Sequence, residues 1–362
     1  MKKTLVLTHE YYPFKGGVAR YCHNLFKFFK KEDYLVLTDN KEVISQDNII
    51  NTRLTWRFFK PSWLLAYFKL KRIIKHYQIQ QIFTPNILPL GSLAYFLKVP
   101  YIISLHGLDI NLAMANKPNF TKKILTNAQT VIANTENTAN ITRNFLGQAD
   151  FKIKVVYPSV DFDTSYDPVK LEAFRKKLGL QDEKIVITLG RLNKRKGQDL
   201  VIEAIAQLKK EYNLKYFIIG RGLEKKNLEL LIDQHKLSKQ VFIFDNIDDE
   251  DLIYFFKLAH YFVMPFRDGD QDIEGFGTVF LEAALCNLPI ISGNSGGIKE
   301  MFNDPSQAIL IPSDDLRVLI KAMKFLLNNP KEADKLAQVG QERARQFKDS
   351  KTQSLILKEI LK

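Results

Sequence analysis

Cysteine is nearly absent. Cys22 and Cys286 are the two in 362 residues, and they lie in unrelated segments with no metal-type spacing. This excludes a disulfide framework and a cysteine-built metal site, and both thiols are expected to be reduced and packed. Long apolar runs are absent too: none approaches the roughly 18 residues of a membrane-spanning helix. After Met1-Lys2-Lys3, only Thr4–Thr8 precedes His9-Glu10, too short for a signal-peptide core, so a cytoplasmic protein is expected. The Gly16-Gly17 pair after the first apolar run lacks the G-x-G-x-x-G of a dinucleotide site. Acid is missing between Asp47 and Asp109, whereas Arg53, Arg57, Lys60, Lys69, Lys71, Arg72, Lys75 and Lys98 fall within that interval. Of the net charge of +13, residues 1–165 hold most, with 22 Lys+Arg against 11 Asp+Glu; residues 166–362 have 31 against 29. Such asymmetry describes partners rather than fold.

What is present is a repeated alternation of short apolar runs with amphipathic stretches, the pattern of doubly wound α/β folds. Thr4–Thr8, Tyr34–Thr38, Gln81–Thr84, Tyr101–Ser104, Thr130–Ala133 and Lys154–Val156 are predicted strands, with helices such as Val18–Lys31 and Leu64–Tyr77 between them. The pattern restarts with strands at Lys184–Leu189, Lys215–Ile219, Val241–Phe244, Tyr261–Met264, Ile290–Ser292 and Ala308–Ile311. A turn-rich join near Tyr157–Pro168 separates the halves. Two Rossmann-like domains are therefore expected, 1–163 and 164–345, followed by a helical segment, 346–362.

The most informative string is Glu274-Gly275-Phe276-Gly277-Thr278-Val279-Phe280-Leu281-Glu282-Ala283, two carboxylates eight residues apart around a Gly-Phe-Gly turn. Thr278 is expected to cap a helix, leaving Glu274 in the loop and Glu282 within the first two turns. Free N–H groups and the helix dipole at such a start favour a phosphate, and two carboxylates beside it suit sugar and ribose hydroxyls. Gly190-Arg191-Leu192-Asn193-Lys194-Arg195-Lys196-Gly197 follows a strand and opens a helix, which concentrates positive charge where a diphosphate can lie. His106-Gly107-Leu108-Asp109 also follows a strand, at the end where α/β ligands bind. Ser295-Gly296-Gly297 with Glu300 repeats that placement. Asp268, Asp270, Asp272 and Glu274 mimic a calcium loop, but Ile273 replaces the required glycine and Val279 the final glutamate. Asp161-Phe162-Asp163 lies in the join rather than beside a nucleotide site.

These strings resemble the EGFGxxxLEA, GRLxxxKG and HGxD elements of retaining nucleotide-sugar glycosyltransferases of family 4, whose fold is GT-B. The resemblance spans nearly the whole chain, strongest over 184–302, and the second domain is most similar to lipid-mannosylating members. It implies two Rossmann-like domains facing across a cleft, with the C-terminal helix crossing back to the first. It implies catalytic roles for Glu274, His106, Arg191 and Lys196. Donor contacts would come from Gly16, Gly17, Arg191, Lys196, Glu274, Phe276, Gly277, Thr278 and Glu282, with Glu274 on the sugar hydroxyls and Glu282 on the ribose. Acceptor contacts would come from Tyr11, Arg20 and Asp109. Arg191 and Lys196 would stabilise charge on the departing nucleoside diphosphate, so neither metal nor cofactor is expected. Gly220-Arg221-Gly222 matches a structural turn of the family.

The chain departs from the family at Asp245, where a glycine commonly follows the strand near the expected base pocket, and at Gln80, which replaces an acid. The expected function is retaining transfer of a hexose from a UDP- or GDP-linked sugar to a lipid-linked or cell-envelope glycan acceptor. The alternative within the class is a soluble enzyme making a small glycoside or storage polysaccharide. A basic nucleic-acid-binding protein is the alternative outside it, disfavoured because no RNP, helix-turn-helix or zinc pattern occurs. The run Trp56–Lys75 holds both tryptophans, several basic residues and no acid, so peripheral docking on an anionic membrane is expected. Trp56–Trp63 would be its exposed part, and the helix after it would lend mainly lysines.

Overall fold

The computed structural model describes residues 2–14, 16–56, 58–149, 151–267 and 275–362. Glu274 and the acidic residues Asp268, Asp270 and Asp272 lie outside the described residues.

The first sheet contains β1 (Thr4–Thr8), β2 (Tyr34–Thr38), β3 (Ile49–Asn51), β4 (Gln81–Thr84), β5 (Tyr101–Leu105), β6 (Thr130–Ala133) and β7 (Ile153–Val155). Their order is β3-β2-β1-β4-β5-β6-β7, with parallel pairing throughout. The central strands are continuous apolar runs because helices cover both faces of a parallel sheet. One face packs Tyr21, Leu25 and Phe26 of the helix Gly17–Phe26 against Val6, Val36 and Phe83. The other packs Ala66 and Leu70 of the helix Leu64–His76, with Leu93, Ala94 and Leu97, against Leu5, Leu7 and Ile82.

The second sheet contains β8 (Lys184–Leu189), β9 (Leu214–Ile219), β10 (Val241–Phe244), β11 (Tyr261–Met264), β12 (Ile290–Gly293) and β13 (Ile309–Ile311). It is also parallel, in the order β10-β9-β8-β11-β12-β13. Val201 and Ile205 of the helix Gln198–Leu208 and Leu319, Met323 and Leu326 of the helix Leu316–Asn328 cover Val186, Tyr216 and Val263.

The chain divides into two compact units. The first comprises Met1–Asp161, Gly275 and Phe276, and Asp349–Lys362; the second takes in the segments Phe162 onward and Gly277–Lys348. The joins therefore fall at 161/162 and 348/349 instead of 163/164 and 345/346. The helix Ser350–Ile360 belongs to the first unit. Asp349 caps it through the Lys351 and Thr352 N–H groups, and Leu357 and Leu361 enter the core beside Phe26. Gln81, buried on β4, donates to the Leu361 carbonyl at 2.9 Å, so the returning helix is also pinned at its end.

Some expectations are corrected. The helix expected over Val18–Lys31 stops at Phe26, where the Phe29 N–H bonds the Phe26 carbonyl and the Phe29 ring turns into the core 4.9 Å from that of Phe26. Three-residue β3 was not anticipated, being too short to show an alternation. Thr278 is the first residue of its helix; the cap is Gly277, in the left-handed region at φ +77°.

Candidate active site

In the second unit the basic loop is built by close backbone approach at the carboxyl ends of β8, β9 and β11. A side chain at Gly220 would sit 1.9 Å from the Gly190 carbonyl oxygen, and one at Gly222 2.1 Å from that of Leu192. Gly197, at φ +72°, caps the helix Gln198–Leu208, and a Cβ there would lie 2.3 Å from the Pro265 carbonyl. Only glycine fits these positions without backbone shifts. Asn193 accepts from the Lys196 N–H at 3.3 Å, tightening the turn, and Gln198 donates to the Arg191 carbonyl at 3.1 Å.

This scaffold sorts the four basic side chains of the loop. Arg191 and Lys194 are exposed. Lys196 is buried, with its ammonium 4.3 Å from the centre of the Phe266 ring, and the Arg195 guanidinium lies 5.4 Å from the same ring. An aromatic face favours a cation that has lost part of its hydration. Sequence reasoning missed Arg267. It donates to the Lys194 carbonyl at 2.8 Å and to Asp199 at 2.7 Å, pairs with Asp314, and its N–H bonds the Arg195 carbonyl. One arginine after β11 thus fixes the loop's backbone. Its signal was available only as a lone cation after a strand.

The helix Thr278–Leu285 is apolar on nearly every side, and within it Glu282 is buried at 3% exposure. Ser295 is buried after β12, and Gly297 caps the short helix Ile298–Met301. The Glu300 carbonyl accepts from Arg343 at 2.8 Å. Asp245 forms an ion pair with Lys225, whose ammonium holds the carboxyl below its ordinary range, while Arg221 donates to the Asp245 carbonyl and to Asn246. The departure at Asp245 therefore brings its own partners.

In the first unit, Gly16 caps the helix Gly17–Phe26 and a side chain there would meet Phe14 at 2.9 Å and Glu10 at 3.0 Å, whereas Gly17 has open space. Arg20 is exposed on that helix. Tyr11 is corrected: its ring lies in the core at 3% exposure, and Tyr12 is the exposed ring, stacked 4.7 Å from His23. Burial of a phenol this close to β1 follows from the apolar face beneath it.

His106 follows β5, its ring edge-on to Tyr21 at 5.0 Å and its Nε2 buried without a hydrogen-bond partner. Burial pushes its pKa down to about 4, so the imidazole is neutral at pH 7. The Asp109 Oδ1 accepts from the His106 N–H at 2.7 Å; its Oδ2 is buried and unpartnered, and burial pushes the carboxyl up to about 7. The native state then holds a proton that the unfolded chain releases near its ordinary value, so this group's contribution to stability falls as pH rises toward 7 and is flat above. Asp109→Asn should accordingly gain stability over the parent at pH 8 and show a smaller gain at pH 5. Urea unfolding at both pH values measures this, and an equal difference at both contradicts it.

The signature string divides at its centre. A Cβ on Gly275 would come within 2.1 Å of the His106 carbonyl and 2.9 Å of Asn134, and the Phe276 ring is buried 5.9 Å from Tyr157; both residues belong to the first unit, and Gly277 to the second. Asp161 pairs with Lys27 and Asp163 accepts from the Ser165 N–H, so each has a local partner. Among the described residues no cluster of three metal-ligating side chains occurs.

Comparison with known proteins gives this arrangement a family. Residues 170–343 match Glycosyl transferases group 1, and residues 15–164 match Glycosyltransferase Family 4. The chain belongs to these glycosyltransferase families. A GDP-mannose-dependent alpha-(1-6)-phosphatidylinositol monomannoside mannosyltransferase of Mycolicibacterium smegmatis is 26% identical across 99% of this glycosyltransferase and 97% of its own length. The O-antigen biosynthesis glycosyltransferase WclY of Escherichia coli is 32% identical over 42% of this chain and 40% of its own. Among solved structures, sucrose-phosphate synthase of Thermosynechococcus elongatus has a TM-score of 0.82 at 21% identity, covering 99% and 98% of the two chains. Anabaena HepE in complex with UDP-glucose also has 0.82, at 19% identity and 99% coverage of both. At that identity these structures speak to the fold, GT-B.

The run Trp56–Lys75 differs from expectation. Trp63 is buried, its ring 5.1 Å from Phe96, and Trp56 packs on the same core under the Arg53 guanidinium. An indole removes more apolar area from water than any other side chain, which favours its burial where a core is within reach. The exposed apolar residues are instead Phe58 at 96%, Phe59, Leu64, Leu65 and Phe68 at 59%, beside exposed Lys60, Lys69, Lys71, Arg72 and Lys75. No helix among the described residues is long and apolar enough to cross a membrane.

Proposed function

We propose that this glycosyltransferase moves a hexose from a nucleotide sugar, UDP- or GDP-linked, to a lipid-linked or cell-envelope glycan acceptor, with retention and without a metal. The observation that carries the reading is the basic loop between β8 and the helix Gln198–Leu208: an exposed arginine just after the strand and a buried lysine over Phe266 just before the helix, on a backbone that glycines and Arg267 hold in place. Arg191 and Lys196 bind the diphosphate and stabilise the charge that develops as it leaves. Glu274 holds sugar hydroxyls and Glu282 the ribose, while the Phe276-Gly277 backbone, Thr278 and the Gly16-Gly17 turn lie against the donor. His106 faces the transferred sugar. Arg20 and Asp109 contact the acceptor. Similarity over nearly the full chain to a GDP-mannose-dependent enzyme makes GDP-mannose the first donor to test. Thermal melting against GDP-mannose, UDP-glucose, GDP and UDP tests donor binding. A donor at 100-fold over its Kd adds about 2.7 kcal/mol, and no stabilisation by any of them overturns the reading.

The same reading places the enzyme at the inner face of a membrane. Phe58, Phe59, Leu64, Leu65 and Phe68 among five lysines and arginines form the amphipathic surface that anionic lipid attracts. Each basic residue near such a surface adds about 1 kcal/mol, screened by salt. Co-sedimentation with anionic vesicles should exceed that with neutral ones, weaken in high salt, and fall in a Phe58→Ser/Phe68→Ser variant. Failure to bind either vesicle at any salt revives a soluble acceptor.

A further inference from the structure

His9 stands where the chain leaves β1, at a place the sheet order makes special. With the order β3-β2-β1-β4-β5-β6-β7, the helix after β1 covers one face of the sheet and the helix after β4, Ser92–Leu97, covers the other. In open parallel sheets, ligands bind in the crevice that such a divergence opens at the carboxyl ends of the strands. Three strands meet on this one residue. The His9 backbone N–H donates to Asn86 Oδ1, after β4, at 3.3 Å, and its ring Nδ1 lies 2.8 Å from Asp39 Oδ1, after β2. Asp39 is itself anchored, its Oδ2 accepting from the Leu54 N–H at 3.3 Å. A carboxylate oxygen accepts, so the Nδ1–Asp39 bond is donated by His9 and Nε2 is the ring nitrogen left to a ligand. The side chain is 28% exposed, and among the described residues its Nε2 has no hydrogen-bond partner.

We infer that His9 is an acceptor ligand of the transferase: Nε2 accepts a hydrogen bond from a hydroxyl of a vicinal polyol, a sugar or cyclitol ring, and Asp39 is the positioning residue that fixes the tautomer. This rests on the reading that the first unit binds the acceptor. As an acceptor, Nε2 selects O–H donors such as those of a polyol, whereas anionic phosphate is drawn to N–H donors and cations.

The test is nitrogen NMR of the full chain labelled at histidine, with the His9 signals identified by their loss in His9→Gln. Methyl α-D-mannopyranoside, myo-inositol and inorganic phosphate are titrated separately, and GDP and UDP affinities are measured on the same samples. The expected result is a saturable shift of His9 Nε2 with a polyol and none with phosphate. Asp39→Asn should weaken that polyol roughly tenfold, about the worth of one hydrogen bond, and blur the single tautomer while leaving nucleotide affinity unchanged. His9 signals unmoved by both polyols, moved equally by phosphate, or unchanged in tautomer by Asp39→Asn overturn the assignment. Nucleotide affinity separates the two readings: its absence with an intact polyol response sinks the donor reading, and the converse sinks only His9.

Discussion

Replacing Arg191 or Lys196 by alanine should lower turnover by roughly 10²-fold or more, the scale seen when a preorganised donor is removed from a developing negative charge. Lys194→Ala should be mild. The three cations lie within six residues of each other in one loop, but the structure separates them: Lys194 is exposed and contributes its carbonyl to Arg267, whereas Lys196 is buried over Phe266. Lys196→Ala also removes a packed aliphatic stem, so melting temperature and nucleotide affinity must be measured beside the rate. A rate loss shared equally by all three variants would mean that the loop acts only as diffuse charge, and the diphosphate assignment would fail.

The second large effect concerns the paired glutamates, and its two halves differ in kind. Glu282→Gln should weaken binding of the nucleoside diphosphate alone, because the proposed partner is the ribose. Glu282 is buried inside an apolar helix, where a charge is retained only if partnered, so melting temperature is measured beside affinity to separate a lost ribose contact from a loss of stability. Glu274→Gln should spare the free nucleotide and damage transfer, since its proposed partners are the sugar hydroxyls. Calorimetric titration with GDP and UDP, together with transfer rates, separates the two. An unchanged transfer rate in Glu274→Gln would remove the signature from the mechanism.

The positions expected for most strands coincide with those found because a strand buried on both faces is a short unbroken apolar run, and β1, β2, β4, β6, β8, β10 and β11 have the expected bounds. Where the run was short or polar, as at β3, no periodicity existed to read. The loops that follow β8 and β5 were equally legible, since glycine and charge at a strand's end mark a place where backbone must approach something closely. What those glycines approach was not. Gly275 is required by the His106 carbonyl and Gly222 by that of Leu192, contacts between segments far apart in sequence.

The sequence by itself determined two parallel α/β domains and the family, because these rest on local runs and spacings; the returning helix was expected only through the family resemblance. The tertiary structure alone decided which side chains face inward. Tyr11 and Trp63 are buried, leaving Tyr12, Phe58 and Phe68 exposed; aromatic neighbours one or a few residues apart share composition and differ only in which side of the chain meets the core. It alone placed Arg267 behind the basic loop and joined His9 to Asp39 and Asn86. Those pairings arise from parallel strands, which bring residues 30 and 77 positions apart into hydrogen-bond reach, and no local pattern records them.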